Sequence, residues 1–435
     1  MSQVIFIPVE TDPSETRVAA TPETVKKLIG YGFKIIVESG AGIASRITDQ
    51  AFADAGAQIG KTTDIKTADI ILKLRRPSQT ELKNYKTGAV LIAMLDPYGH
   101  EDSVAAIAQA GLTAFTMEFM PRITRAQVMD VLSSQANLAG YQAVIDAAAE
   151  YGRAMPMMMT AAGTVPAAKV FVMGAGVAGL QAIATARRLG AVVTATDVRP
   201  AAKEQVASLG AKFVAVEDDE FKAAETAGGY AKEMSKDYQA KQAALVTDHI
   251  AKQDIVITTA LIPGRAAPRL VSAEMVASMK PGSVLIDLAV ERGGNVEGAV
   301  AGQVVEKDGV KIIGHMNTAG RIAASASQLY ARNLFAFLET LVDKDTKQLA
   351  INLDDELVKA TVLTHQGAIV HPAFADAKAT PVAVDNNAET APKPAVKKAP
   401  VKKAAPKKPA AAKPVTKTVA GKKTVNEAGN KGDEA

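Results

Sequence analysis

Residues 169–182 read Lys169-Val-Phe-Val-Met-Gly174-Ala-Gly176-Val-Ala-Gly179-Leu-Gln-Ala182. A short apolar run passes through three glycines into a helical pattern, the strand–turn–helix entry of a doubly wound sheet. The spacing G-x-G-x-x-G alone is weak, because a Gly-rich turn that binds nothing can produce it. Its surroundings strengthen it: Val192-Val-Thr-Ala-Thr-Asp197 is a second apolar run ending in an acid, 23 residues after Gly174. Gly174 permits the tight turn, Gly176 lets backbone N–H groups approach a pyrophosphate, and Gly179 lets helix and sheet pack closely. Asp197 can accept both ribose hydroxyls and repels a 2′-phosphate, so the site favours NAD(H) over NADP(H); Arg199, two residues on, can soften that preference. Val177 and Ala178 at the helix start and Val198 beside the acid belong to the same expected cofactor site.

Outward from this motif, β-branched runs alternate with helical segments almost from the first residue, which implies parallel sheets covered on both faces. Strands are expected at 4–9, 33–38, 69–74, 89–94 and 112–117, with helices at 22–31, 49–56 and 101–110. From about Arg125 to Tyr151 the chain is Ala-rich and free of Pro, which reads as one long connecting helix. The second half repeats the alternation with strands near 169–173, 191–196, 211–216, 254–259, 283–288 and 310–313. Residues 322–345 form a periodic amphipathic helix, long enough to cross back onto the first half. The expected fold class is α/β: two doubly wound, Rossmann-like domains with parallel sheets, joined by long helices, plus a disordered basic tail. The expected boundaries are a discontinuous first domain (1–134 with 322–375), a NAD(H)-binding domain (135–321) and the tail (376–435).

The chain has 435 residues, 48% hydrophobic and 22% charged, enough for two or three domains. The absence of cysteine excludes a disulfide framework, a thiolate metal site and a cysteine nucleophile. No basic n-region precedes Val4, so no secretory signal is read and a cytoplasmic location is expected. The net charge of +4 is misleading, because residues 391–425 hold eleven Lys and no acid; removing those eleven leaves −7 for the rest. With six prolines there and no Phe, Tyr or Trp after Phe374, the tail cannot bury enough apolar area to offset its ordering entropy. The longest uncharged apolar run, Val170 to Ala186, breaks midway at three glycines and is not a membrane span.

Other motifs admit plainer readings. Gly40-Ala-Gly42-Ile-Ala-Ser45 lacks a third glycine and a matching acid, so a plain loop is favoured. Gly56-Ala-Gln-Ile-Gly60-Lys61-Thr62 has one residue too few between its glycines for a phosphate loop and follows a helix, which discards ATP hydrolysis. Pro121 to Gln135 concentrates Arg122, Gln127, Asp130, Ser133 and Ser134 at a strand's C-terminal end, where open α/β sheets bind ligands. The i, i+3, i+6 spacing puts Gln127, Asp130 and Ser133 on one helix face. A Gln side chain can supply the donor and acceptor that a nicotinamide carboxamide needs, and Arg122 with Asp130 can form a buried ion pair. Helix capping plus a surface face is the alternative. Gly228-Gly229-Tyr230, in the polar stretch 217–243, reads as a lid or as a surface loop. The five histidines are scattered, so neither a metal nor a histidine base is assigned.

The start, Ile7-Pro8-Val-Glu10-Thr-Asp-Pro-Ser-Glu15-Thr-Arg17-Val-Ala-Ala-Thr21-Pro22, together with Val172 to Asp197, resembles the paired signatures of the alanine dehydrogenases and the proton-translocating NAD(P) transhydrogenases. With Gly228-Gly229-Tyr230, Thr259-Ala-Leu261-Ile-Pro-Gly264 and Asp287 to Asn295, the resemblance spans roughly 4–345 and leans to the NAD(H)-binding domain of the transhydrogenase alpha subunit. One departure separates the two branches: alanine dehydrogenases carry a catalytic His at the end of the fourth strand, and here that stretch reads Leu91-Ile-Ala-Met-Leu95-Asp96-Pro97, while their pyruvate-site Lys corresponds to Lys73. Reducing an imine or keto acid needs a proton donor; transfer between two nicotinamides moves hydride alone. A second departure is Asn317-Thr-Ala-Gly320-Arg321, where the family usually has a Pro-Ser turn.

The resemblance implies that Gly174, Gly176 and Gly179 hold the pyrophosphate and Asp197 the adenosine ribose. It places Arg122, Gln127, Asp130 and Ser133 around the nicotinamide, Gly229 and Tyr230 in a mobile lid, and Leu261 at the cofactor. It implies a Re/Si-specific, proton-translocating transhydrogenase subunit that dimerises and docks on membrane-spanning and NADP(H)-binding subunits, peripheral to the cytoplasmic face of the inner membrane. The tail reads as a solvated linker; the alternative places it near anionic lipid. No nucleic-acid partner is expected. The rival functions are an alanine dehydrogenase-like enzyme and a non-catalytic NAD(H) sensor.

Overall fold

The computed structural model describes residues 2–224, 234–262, 264–343 and 345–375. Two large sheets organise them, both within one compact unit. The first has eight strands, in the order Ala368–Ile369, Val362–His365, Thr113–Thr116, Val90–Ala93, Ile70–Leu72, Val4–Ile7, Lys34–Glu38, Gln58–Gly60. Its first six strands in chain order are parallel, and the pair from 362–369 adds antiparallel to Thr113–Thr116. The second has seven, in the order Lys212–Phe213, Val192–Thr196, Lys169–Met173, Ile255–Thr258, Val284–Asp287, Val310–Ile313, Val304–Lys307; the last joins antiparallel.

Alternation explains why both faces of each sheet are covered. Ile5, Ile7, Ile70, Leu72 and Ile92 point to one face of the first sheet, where Tyr330, Leu334 and Phe337 of the helix Ala323–Glu339 seal them. Phe6, Ile71 and Leu91 point to the other, against Val104 and Ile107. Phe337 has no exposed surface, and truncation of such a residue to Ala costs about 3–5 kcal/mol. In the second sheet Val170, Val172 and Ile257 meet Ala143, Val144 and Ala147 of the helix Val131–Glu150, while Phe171 and Val256 meet Ile250 and Val276.

In both sheets the strand order reverses beside the first strand, between Val4–Ile7 and Ile70–Leu72 and between Lys169–Met173 and Ile255–Thr258. Crevices open at the carboxyl ends of such pairs.

The structure corrects several local expectations. Residues 125–151 are not one helix: a 3-10 turn, Thr124–Met129, is separated from Val131–Glu150 by Asp130 at φ −74, ψ 91. Asp130 stops the turn because its carboxylate accepts the Ser133 N–H (2.9 Å) and the Ser133 hydroxyl (2.5 Å), an N-cap that a helical Asp130 would forfeit. The returning helix is Ala323–Glu339, entered through a 3-10 turn at Thr318–Ile322, and ends before Asp343, whose side chain accepts the N–H groups of Asp345 and Thr346. The strand expected over 211–216 shrinks to Lys212–Phe213. The sequence reading omits Gln58–Gly60, Val304–Lys307, Val362–His365, Ala368–Ile369 and the isolated hairpin Met158–Thr160 with Gly163–Val165; they are short or lie toward sheet edges, where the alternation is weakest. Among the described residues no helix is long and apolar enough to cross a membrane. The tail expectations concern 376–435, outside the described residues.

Candidate functional site

At the carboxyl end of Lys169–Met173 the chain turns at Gly174, with φ +102, and its N–H donates to Thr196 O (2.8 Å). A Cβ at Gly179 would sit 1.8 Å from Gly174 O, so the helix Val177–Arg188 can approach only because position 179 is glycine. Gly176 differs: a Cβ there meets nothing within 4 Å, and no side chain caps the helix it precedes. The result is a glycine cradle with open space in front of uncapped N–H groups, which fits a pyrophosphate.

Asp197 ends the neighbouring strand. One carboxylate oxygen accepts the Ala175 N–H (2.7 Å); the other accepts the Arg199 N–H (2.9 Å) and Nε (3.0 Å). Arg199 also donates to Ala175 O (3.2 Å). The acid and the glycine turn are therefore one hydrogen-bonded unit, and Arg199 partly neutralises the charge on which discrimination against a 2′-phosphate depends. Val198 is exposed beside it.

The opposite wall comes from the first half of the chain. A cavity of about 290 Å³ is lined by Pro121, Arg122, Ile123, Ala126, Gln127, Asp130, Ser133 and Val177. Arg122, Gln127, Asp130 and Ser133 thus meet, together with the first residue of the helix behind the glycine turn. They meet by a different route from the expected helix face, since Gln127 sits in the 3-10 turn, Asp130 is the cap and Ser133 is helical. The buried Arg122–Asp130 ion pair is not formed: Arg122 is exposed, and both Asp130 oxygens are engaged by Ser133. Local capping therefore takes precedence over the charge pair.

Residues that the sequence did not single out hold this wall. Asn333 of the returning helix donates to Val128 O (2.8 Å) and accepts from Ser134 Oγ (2.7 Å). Gln135 accepts from Arg17 (2.8 Å), whose remaining bonds go to Glu15 at 2.7 Å. Burial alone would raise the Glu15 carboxyl, but the bonds and charge of Arg17, with Arg75, hold it down to about 2. Gly140 sits where the helices Val131–Glu150 and Val177–Arg188 touch; a Cβ there would lie 2.0 Å from Ala178 O. A glycine inside an otherwise Ala-rich helix was the available signal for this contact.

Beyond Ile255–Thr258, Thr259 Oγ1 donates to Gly174 O (3.2 Å) and Leu261 is exposed nearby in sequence. Gly264 lies against the Tyr98 ring, where a Cβ would come within 3.1 Å. Gly229 and Tyr230 lie outside the described residues.

The crevice of the first sheet is filled from within. Lys73, 1% exposed, lies 2.8 Å from Glu81 and 3.2 Å from Glu10. Burial would lower its pKa, but the charges of Glu10 and Glu81 raise it, so the ammonium is charged and occupied. Asp96, at φ +47, is paired with Arg292 from the second half of the chain, and its N–H donates to Glu118 (2.6 Å). At the second departure from the family pattern, Asn317 adopts φ +46, which Asn tolerates; its amide donates to Ser14 O (2.9 Å) and Glu15 (3.1 Å), tying the entry of the returning helix to the chain's first loop. Among the described residues no group of three or more His, Asp or Glu could hold a metal ion.

Two family models match the chain: the alanine dehydrogenase/PNT N-terminal domain over residues 6–139 and the C-terminal domain over 143–372. An NAD(P) transhydrogenase alpha subunit of Rhodospirillum rubrum is 57% identical over 377 residues, 85% of this chain and 98% of that protein. Its counterpart of the same name from Rickettsia prowazekii is 48% identical over 364 residues, 82% of this chain and 94% of that one. The crystal structure of a transhydrogenase from Sinorhizobium meliloti, 68% identical, superposes with a TM-score of 0.78 and covers 85% of this chain and 100% of its own. With both halves matched and relatives this similar over nearly their whole length, the chain belongs to the alanine dehydrogenase/PNT family, beside its NAD(P) transhydrogenase alpha subunits.

Proposed function

We propose that this chain is the NAD(H)-binding subunit of a proton-translocating NAD(P) transhydrogenase, exchanging hydride directly with NADP(H) held on a partner subunit. The observation that carries this reading is the cavity joining Arg122, Gln127, Asp130 and Ser133 to Val177, at the start of the helix behind an open glycine cradle. When bound, the reduced nicotinamide supplies the hydride. The chain's own part is to hold and orient. The uncapped N–H groups after Gly176 take the pyrophosphate, with Val177 and Ala178 at its edge and Gly174 and Gly179 shaping the turn. Asp197 takes the ribose, with Val198 and Arg199 beside it. Gln127 offers a donor and an acceptor to the carboxamide, Ser133 is fixed by Asp130, and Arg122 supplies an exposed cation at the rim. Gly229, Tyr230 and Leu261 complete the site in this reading.

Two features favour hydride exchange over an alanine dehydrogenase reaction. None of the eight residues lining the cavity is a histidine, and hydride exchange needs no proton donor there. The Lys73 and Asp96 positions, where the dehydrogenases place their pyruvate-site Lys and catalytic His, are committed to ion pairs with Glu10, Glu81 and Arg292. The same reading makes the chain a homodimer attached through partner subunits to the cytoplasmic face of the membrane. It divides the chain into 1–134 with 322–375, a cofactor domain at 135–321 and a basic tail at 376–435. The exposed hairpin Met158–Val165, with Met157, Met158 and Met159 open to solvent, supports an intersubunit contact.

The test is single-turnover hydride transfer from NADH to an NADP-site acceptor, with the chain alone and after adding an NADP(H)-binding domain of this family. Transfer that appears only on mixing is expected. Oxidation of NADH by the chain alone with pyruvate and ammonium would overturn the proposal in favour of the dehydrogenase.

A further inference from the structure

We propose that Asn295 is a positioning residue for the cofactor site, holding the segment from Ala260 to Pro268 against the glycine turn; this rests on reading that turn as the NAD(H) site. The strand Val284–Asp287 ends in a carboxylate with no exposed surface. Asp287 accepts the N–H groups of Ala289 (2.9 Å) and Val296 (3.0 Å), so the chain from 288 to 296 wraps around it. Gly294, at φ +78, makes the wrap possible, since a Cβ would lie 2.7 Å from an Asp287 oxygen. The wrap delivers Asn295, itself fully buried, to the base of the 260–268 segment.

The Asn295 amide is used to capacity there. Its oxygen accepts the Ala260 N–H (3.0 Å), and its nitrogen donates to Ala260 O (2.9 Å) and Pro268 O (2.8 Å). One acceptor and two donors thus match one N–H and two carbonyls, tying both ends of the segment to one side chain. The residue before Ala260 is Thr259, whose hydroxyl bonds Gly174 O and whose Oγ1 would lie 2.5 Å from a Gly174 Cβ. The residue after it is Leu261, exposed toward solvent. The tip, at Gly264, rests on Tyr98 of the other half of the chain. A displacement of Ala260 therefore reaches the glycine turn through a single residue. Asparagine suits the position where aspartate does not: a carboxylate has no donor for the two carbonyls and sets negative charge against them.

The full chain is compared with Asn295→Asp, with Asn295→Ser, and with Ile313→Val, a core change on a strand of the same sheet. NADH titration by its fluorescence, trypsin cleavage at Arg265 mapped by mass spectrometry, and thermal midpoint are read together. Asn295→Asp is expected to weaken NADH binding by about tenfold, the equivalent of one or two net hydrogen bonds, and to speed cleavage at the exposed Arg265 while the circular dichroism spectrum matches wild type. Ile313→Val should leave both unchanged. If Asn295→Asp does not fold, Asn295→Ser carries the same comparison. A variant that binds NADH and resists trypsin as wild type does, or whose losses follow its midpoint as those of Ile313→Val do, overturns the role. Wild-type chain that fails to bind NADH overturns the functional reading instead, and the trypsin arm still decides whether Asn295 holds the segment.

Discussion

At the strand reversal of the first sheet, Glu10 follows Val4–Ile7 and Lys73 follows Ile70–Leu72; at the same place in the second, Gly174 follows Lys169–Met173 and Thr259 follows Ile255–Thr258. One crevice is closed by the chain's own charges, Lys73 with Glu10 and Glu81, and Glu15 with Arg17 and Arg75. The other keeps its backbone donors uncapped. The glycines differ in the same sense: a Cβ at Gly42 would meet Ile47 O at 2.6 Å and Phe52 at 2.7 Å, whereas one at Gly176 meets nothing. Topology provides two equivalent crevices, and side-chain chemistry decides which receives a ligand.

The comparison breaks most completely at Gly179. Gly179→Val drives a branched side chain into Gly174 O and should leave no folded cofactor domain, read as loss of the cooperative thermal transition. Next in size is the closed crevice. Glu15 titrates at about 2 instead of 4.5, so its ionisation contributes stability above pH 4.5 that is lost as pH falls toward 2, about 3 kcal/mol in all. Denaturant unfolding of wild type between pH 5 and pH 2 should show that slope, and Glu15→Gln should lack it. Parallel curves for the two proteins would mean that the Arg17 and Arg75 contacts are not felt in solution.

The doubly wound architecture was legible because it rests on the strongest signals: buried runs such as Val170–Met173 and Ile255–Thr258, separated by helical lengths. The glycine turn and Asp197 were legible for the same reason, a motif in its structural context. The far wall was read with the right residues and the wrong backbone, since spacing cannot reveal that Asp130 leaves the helix to cap Ser133. Asn295, Asn333 and Gly140 act through contacts with residues 35 or more positions away, and nothing local marks them. Lys73 shows the converse: its neighbours in sequence did not disclose that Glu10, 63 residues earlier, had already claimed it.

The open and closed turns can be separated by one methyl group each. Gly42→Ala should destabilise the protein by about 1–3 kcal/mol through overlap with Ile47 and Phe52, with NADH affinity of the folded fraction unchanged. Gly176→Ala should leave stability within about 0.5 kcal/mol, as a surface change in open space does, yet weaken NADH binding because the methyl occupies the room a pyrophosphate would take. Equal effects on binding from the two variants would remove the distinction between the crevices.

The finest division lies within the open crevice, between holding the dinucleotide and aiming it. Asp197, tied to Ala175 and Arg199, belongs to the first task, and Asp197→Ala should lower NADH affinity. Gln127 belongs to the second: Gln127→Asn keeps the amide but withdraws it by one methylene from a cavity whose other walls, Ala126 and Pro121, cannot follow it. Misplacing a reacting ring by a fraction of its near-attack separation costs rate more than affinity, on the order of tenfold here. Single-turnover transfer should therefore slow while NADH titration stays near wild type. An unchanged rate would release Gln127 from the carboxamide and leave Ser133, held by Asp130, as the cavity's remaining fixed polar contact.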